Sequence, residues 1–216
     1  MKKDISIYAL LLFIIPVITL CICQQIVAYY HNFHTIPFID GKASISMMGR
    51  GERTIDIFKS GFFLYIFISI LFYFKISIFF LSKRIENKFK IFGLIANSFL
   101  CIYIISIGKD ESLYETSRRL AIIFYIASIY ISHIYLIKIL KLLRRKKKIK
   151  FNSIYIKILY IIIFLMTLLI IIGLPWVDPF FEYPNELKNI IEWNYFLLTI
   201  IFYLPLSFIF YKSKNE

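Results

Sequence analysis

Ile158-Leu-Tyr-Ile-Ile-Ile-Phe-Leu-Met-Thr-Leu-Leu-Ile-Ile-Ile-Gly-Leu174 contains no charged residue and leaves no polar stripe at helical spacing. A helix rises about 1.5 Å per residue, so a run of this length covers most of the roughly 30 Å of bilayer hydrocarbon. A helix at the surface of a soluble protein needs a polar face toward water, and this one has none to offer. The stretch therefore reads as a membrane span, and the rest of the chain has to be read around it.

The same texture recurs five more times. Apolar blocks rich in Ile, Leu and Phe run from Ile5 to Ala28, Ile55 to Leu81, Ile91 to Gly108, Leu120 to Leu143 and Ile190 to Tyr211, with the quoted block extended to Ile154–Leu174. Of the 216 residues, 60% are hydrophobic and only 18% charged, too little charge to cover a water-facing surface. The expectation is an all-α, six-helix transmembrane bundle in one domain, residues 1–216, without a linker or repeat. Lys2 and Lys3 ahead of the first block resemble a signal peptide. That block is too long and has no clear small-residue cleavage site, so it is read as a true span, kinked or loosened near Pro16.

Charge sets the expected orientation. The connectors holding Lys83, Arg84, Lys88 and Lys90, and Arg144 to Lys148 with Lys150, are basic, as are both tails. The other three loops hold Asp40, Glu52, Asp110, Glu111, Glu115, Asp178, Glu182 and Glu186. Short cytoplasmic loops are enriched in Lys and Arg, which puts both termini in the cytoplasm and the acidic loops on the lumenal or periplasmic face. The net charge of +13 is thereby a topology and lipid-headgroup signal. No basic surface interleaved with aromatics stands outside the spans, so nucleic acid is excluded as a partner. Lys212-x-Lys214 near the C-terminal end has the form of a dilysine retrieval signal, and positive-inside anchoring explains it equally well.

Cys21, Cys23 and Cys101 all fall within spans and read as small apolar residues, not as a disulfide framework. His31-x-x-His34 sits in a loop where the spacing fixes no geometry, and further ligands are not evident, so neither metal nor cofactor is expected. Lys75, Lys138 and Lys157 lie near cytoplasmic span ends and snorkel to the interface. His133, deep in span four, reads as a packed, hydrogen-bonded core histidine.

Ionisable groups within spans are costly and mark candidate sites. Asp56 and Lys59 share a helical face at the outer end of span two and are spaced for an ion pair. Glu192 lies at the outer end of span six, Arg118 and Arg119 at that of span four, with Glu52 and Arg53 at similar depth. Together they would form a polar chamber for a charged lipid headgroup; the competing reading is a set of interfacial anchors.

Pro37-Phe-Ile, Ser44-Ile-Ser46, Gly51-Glu-Arg53, Ile57-Phe58 and Gly61, with Glu192-Trp193 opening span six, resemble the Frag/DRAM/Sfk superfamily of six-span proteins. The most similar branch is that of the post-GPI-attachment lipid-remodelling factors and the N-terminal part of yeast cell-wall remodelling proteins. The resemblance implies a membrane protein handling a phospholipid or GPI lipid at its lumenal face, as an acyltransferase or its accessory factor. It implies the Golgi or endoplasmic reticulum in a eukaryote; in a bacterium the location would be the inner membrane. The resemblance implies Ser44, Ser46, Glu52, Arg53 and Trp193 at the headgroup, and the outer-end position of Asp56, Lys59, Arg118 and Arg119 adds them to the same candidate site. Glu192 is the candidate general acid or base. The family's histidines are missing: the start of span four reads Ser117-Arg-Arg119, and the span-six positions hold Thr199 and Tyr203. That departure keeps a second reading open, a non-catalytic regulator or scaffold like the autophagy-modulator branch. A small transporter ranks last, because the charges cluster at span ends rather than midway. No protein partner is implied.

Overall fold

A computed structural model describes residues 2–31, 34–82, 88–109, 111–149, 151–173 and 185–212. Its helices are α1 (Lys2–His31), α2 (Pro37–Asp40), α3 (Ile45–Arg50), α4 (Ile55–Ser82), α5 (Phe89–Ser106), α6 (Ser112–Arg145), α7 (Ser153–Gly173), α8 (Asn185–Ile201) and α9 (Tyr203–Lys212). Among the described residues six helical stretches are long and apolar enough to cross a bilayer: α1, α4, α5, α6, α7 and the α8–α9 pair. The chain is an integral membrane protein.

The spans are arranged in chain order as a closed ring. Each packs on its sequence neighbours, and α1 closes the circle against α9. At that seam Ser207 Oγ donates to the Ser6 carbonyl at 2.9 Å, and the two hydroxyls stand 3.0 Å apart. The first and last spans therefore end on the same side of the bundle, called here the terminal end; the opposite side is the loop-one end.

In lipid, helices gain little from the hydrophobic effect against one another, so seams depend on close approach and polar contacts. Between α1 and α4, a Cβ on Gly61 would stand 2.2 Å from Thr19 Oγ1, so only glycine admits this contact. Between α4 and α5, Asn97 Nδ2 donates to Ser69 Oγ at 3.0 Å. Tyr130 and Thr167 hydroxyls, 2.6 Å apart, join α6 to α7.

Side chains from α4, α6 and α9 fill the ring. The Tyr73 and Tyr203 hydroxyls lie 3.4 Å apart, Ser132 Oγ donates to the Phe89 carbonyl at 3.0 Å, and His133 stacks on Phe202 with centroids 3.8 Å apart. His133 is fully buried and its Nε2 lies 3.5 Å from the Tyr203 hydroxyl. The apolar surface left over points outward on every span, through residues such as Ile18, Phe67, Ile102, Phe124 and Phe164.

Helix ends depart from the expected ones where polar residues continue a helix beyond the apolar block. Span four begins at Ser112, not Leu120, and span six begins at Asn185, not Ile190. Span six is also broken at Phe202. Pro205 supplies no N–H to the carbonyl four residues back and its ring crowds it, which ends α8 at Ile201. Pro16 causes no such break; α1 is continuous through it. Lys83, Arg84, Asp110, Lys150, Asp178, Glu182 and Lys214 lie outside the described residues, as does the side chain of His31.

Candidate functional site

Loop one folds back over its end of the bundle, held by span six. Thr35 Oγ1 and the Ile36 and Lys42 amides all donate to the Asp40 carboxylate, at 2.5, 2.9 and 3.1 Å. These donors hold the Asp40 carboxyl below its ordinary range, the Thr35 hydroxyl most strongly. Gly41 then ends α2 in the left-handed region at φ 62°, and a Cβ there would stand 2.0 Å from the Glu186 carbonyl oxygen. Three side chains of α8 grip the loop's backbone. Asn189 Nδ2 donates to the Gly41 carbonyl at 2.7 Å, Trp193 Nε1 to Ala43 at 2.8 Å, and Asn194 Nδ2 to Phe38 at 2.9 Å. Phe38 packs edge-on against the Trp193 ring.

The chain next turns into α3. Ser44 is its N-cap, accepting from the Met47 amide at 3.1 Å, and its hydroxyl lies 3.0 Å from that of Ser46. Arg50, one turn on, donates to Ser46 Oγ at 3.3 Å. The start of α3 is aimed at α8: the Glu192 carboxylate lies beside the Ile45 amide and faces Arg50. Tyr103, from α5, lies beside Ser46 and Glu192 with Arg50 and Arg118 close by.

Behind Glu192 is a cavity of about 30 Å³, walled by Phe62, Leu100, Ile122, Ile126 and Phe196 with Tyr103, Tyr125 and Tyr195, and roofed by Ile45. It lies where the backbone of α8, packed on α2 and α7, stands away from α5 and α6. Its volume suits about one or two waters, not a lipid chain. The Tyr125 hydroxyl is buried in its wall without a partner at ordinary hydrogen-bond geometry, although Tyr65 is near.

The structure thus brings Ser44, Ser46, Glu192 and Trp193 together, keeps Arg118 at their edge and disperses the other candidates. Arg118 is buried at the edge of the cluster, where Nη1 donates to the Ser106 and Lys109 carbonyls at 2.9 and 2.7 Å, closing the C-terminal end of α5. Arg119 points outward and pairs with Glu115 at 2.6 Å. The Arg53 guanidinium sits 3.7 Å from the centre of the Tyr30 ring, away from the cavity, and Glu52 and Asp56 are exposed. Asp56 and half-buried Lys59 form no ion pair, although their spacing permits one. Among the described residues no group of three or more His, Cys, Asp or Glu is placed to hold a metal.

Arg50 and Tyr103 belong to the cluster and were not singled out from the sequence. Arg50 was legible in principle: reading Ser44 as a helix cap puts Ser46 and Arg50 one turn apart on a common face. Tyr103 carries no such signal among so many span aromatics. No family model matches the chain, nor does any curated protein or solved structure.

Proposed function

We propose that this membrane protein binds a lipid headgroup at the loop-one end, at the mouth of the Glu192 cavity, and acts there as a lipid-handling factor. The observation that carries this reading is the meeting of Arg50, Ser44, Ser46, Tyr103 and Glu192 at the edge of an apolar slot between spans. Arg50 offers a planar cation for a phosphate, and the serine and tyrosine hydroxyls add donors. Glu192 accepts from a headgroup amine or hydroxyl, and is the group available for acid or base chemistry. The slot takes the first carbons of the lipid chains once loop one lifts, since the closed cavity is too small for them. The resemblance of Ser44-Ile-Ser46 and Glu192-Trp193 to the Frag/DRAM/Sfk superfamily supports a phospholipid or GPI lipid as the substrate, with remodelling of its acyl chains as the reaction. On this reading the loop-one end faces the lumen or periplasm and both termini the cytoplasm.

A second reading is favoured by a specific contact. Glu192 lies against the Ile45 amide and Ser44 receives the Met47 amide, so both already have a structural task at the start of α3. A non-catalytic regulator or scaffold would need nothing more of them.

Native mass spectrometry with lipid analysis separates the two. Wild type is compared with Arg50→Ala and Glu192→Gln, with Arg53→Ala as the control. A discrete phospholipid or GPI-type lipid on wild type and Arg53→Ala, lost in the other two, supports the headgroup site. Bulk lipid alone, unchanged by any substitution, removes it and leaves the scaffold.

A further inference from the structure

At the terminal end, far from Glu192, the last turns of α6 and the first turns of α7 enclose a groove of about 410 Å³ lined by Lys141, Arg144, Arg145 and Ile156. Lys141, Arg144 and Arg145 stand at i, i+3 and i+4, which places all three on one helical face. All three side chains are exposed, and none is ion-paired with a described carboxylate. Ile156 is buried in the floor, and Lys141 Nζ lies 5.8 Å from the centre of the half-exposed Tyr160 ring. The groove is therefore apolar toward the bilayer and cationic toward the water. The N-terminus of α7 opens beside it, with the Ile154 amide already satisfied by Asn152 Oδ1 at 3.0 Å. A helix start adds positive potential to that of the three side chains.

Ordinary snorkelling separates cations around a helix end; here they converge on one concavity large enough for a sugar phosphate. Two arginines offer planar forks that can each take a phosphate in two-point contact, and a headgroup with one negative charge leaves the three cations only partly neutralised. We infer that the α6–α7 groove is a binding site for a polyanionic phospholipid, one whose headgroup carries phosphates beyond the linking diester, as a phosphorylated inositol lipid does. The chains of the lipid lie along the outer surfaces of α6 and α7, where Leu142, Ile161 and Tyr160 are exposed. This site is independent of the one proposed around Glu192.

The test reconstitutes the whole chain in phosphatidylcholine nanodiscs doped either with a bisphosphorylated inositol lipid or with phosphatidylserine at equal total charge. Retained lipid is then read by native mass spectrometry. Lys141→Gln/Arg144→Gln/Arg145→Gln removes the groove charges, whereas Lys146→Gln/Lys147→Gln/Lys212→Gln removes as many outside it. A stoichiometric bisphosphorylated lipid on wild type and on the control, weakened on the order of a hundredfold in the groove variant, supports the site. Equal loss in both variants, or equal retention of phosphatidylserine, overturns it as nonspecific surface charge. Inositol trisphosphate in solution binding wild type as tightly as the lipid overturns the lipid assignment in favour of a soluble ligand.

Discussion

Asp40 shows how one carboxylate organises a loop. Its oxygens collect the Thr35 hydroxyl and two backbone amides, so the negative form is the one the fold selects. Its pKa is lowered by folding, chiefly by the Thr35 hydroxyl, with the Ile36 and Lys42 amides and the Lys42 charge adding to it against a desolvation cost. A depressed folded pKa gives stability that is complete above the unfolded value of about 3.9, and it is lost as pH falls through the folded value. Docking of loop one should accordingly be constant from about pH 5 to 8 and fail only in stronger acid. Hydrogen exchange of residues 36–42, followed against pH, checks this. Asp40→Asn should raise exchange there at neutral pH, and full protection in that variant would mean that the backbone amides are held some other way.

At the scale of elements, the hold of α8 on loop one rests on Trp193. Its indole N–H reaches the carbonyl of Ala43, which is fully buried, so Trp193→Phe strands an acceptor and costs about 1–3 kcal/mol. Thermal unfolding should register the cost, and exchange should quicken at residues 43–50 while the spans stay protected. Unchanged exchange at those residues would show that Asn189 and Asn194 suffice. The six spans were legible because hydrophobic length is a long-range, redundant signal: no single residue of Ile158–Leu174 decides it. Their ends were not, since a hydropathy block stops where the apolar residues stop, whereas the hydrogen-bond ladder of α6 runs on through Ser112–Arg119. The candidate site was legible only in part for a related reason. Glu192 and Trp193 stand out as a costly charge and a lone indole in a span. Whether Arg50 or Arg53 turns inward depends on the six-residue α3, which the Gly-rich segment around it hides from periodicity arguments.

Taken whole, the molecule is a ring whose interior is aromatic and sparsely polar. Tyr73, Ser132, His133 and Tyr203 form a small hydrogen-bonded group inside the terminal half of the ring, built from α4, α6 and α9, where Ser132 also meets Phe89 at the start of α5. Tyr203→Phe removes the hydroxyl shared by Tyr73 and His133 and should cost roughly 0.6–2 kcal/mol, the range for polar contacts between spans. A lower midpoint of thermal unfolding in detergent, with lipid retention at both ends unchanged, is the expected result. Loss of bound lipid together with stability would instead tie this group to the sites. Span five is the least enclosed of the six and span six the most, so α7 is set as an outer wall and α8–α9 as the closing stave.

That stave follows the other five spans. Ser6 meets Ser207, and Ala43 meets Trp193, across nearly the whole length of the polypeptide. During biosynthesis loop one must therefore wait on its side of the membrane, undocked, while four more helices are threaded in. Arrest before α8 would leave the Gly41 and Ala43 carbonyls without their donors and the start of α3 without its neighbour, a five-span bundle that still displays an open seam to the quality-control machinery of its membrane.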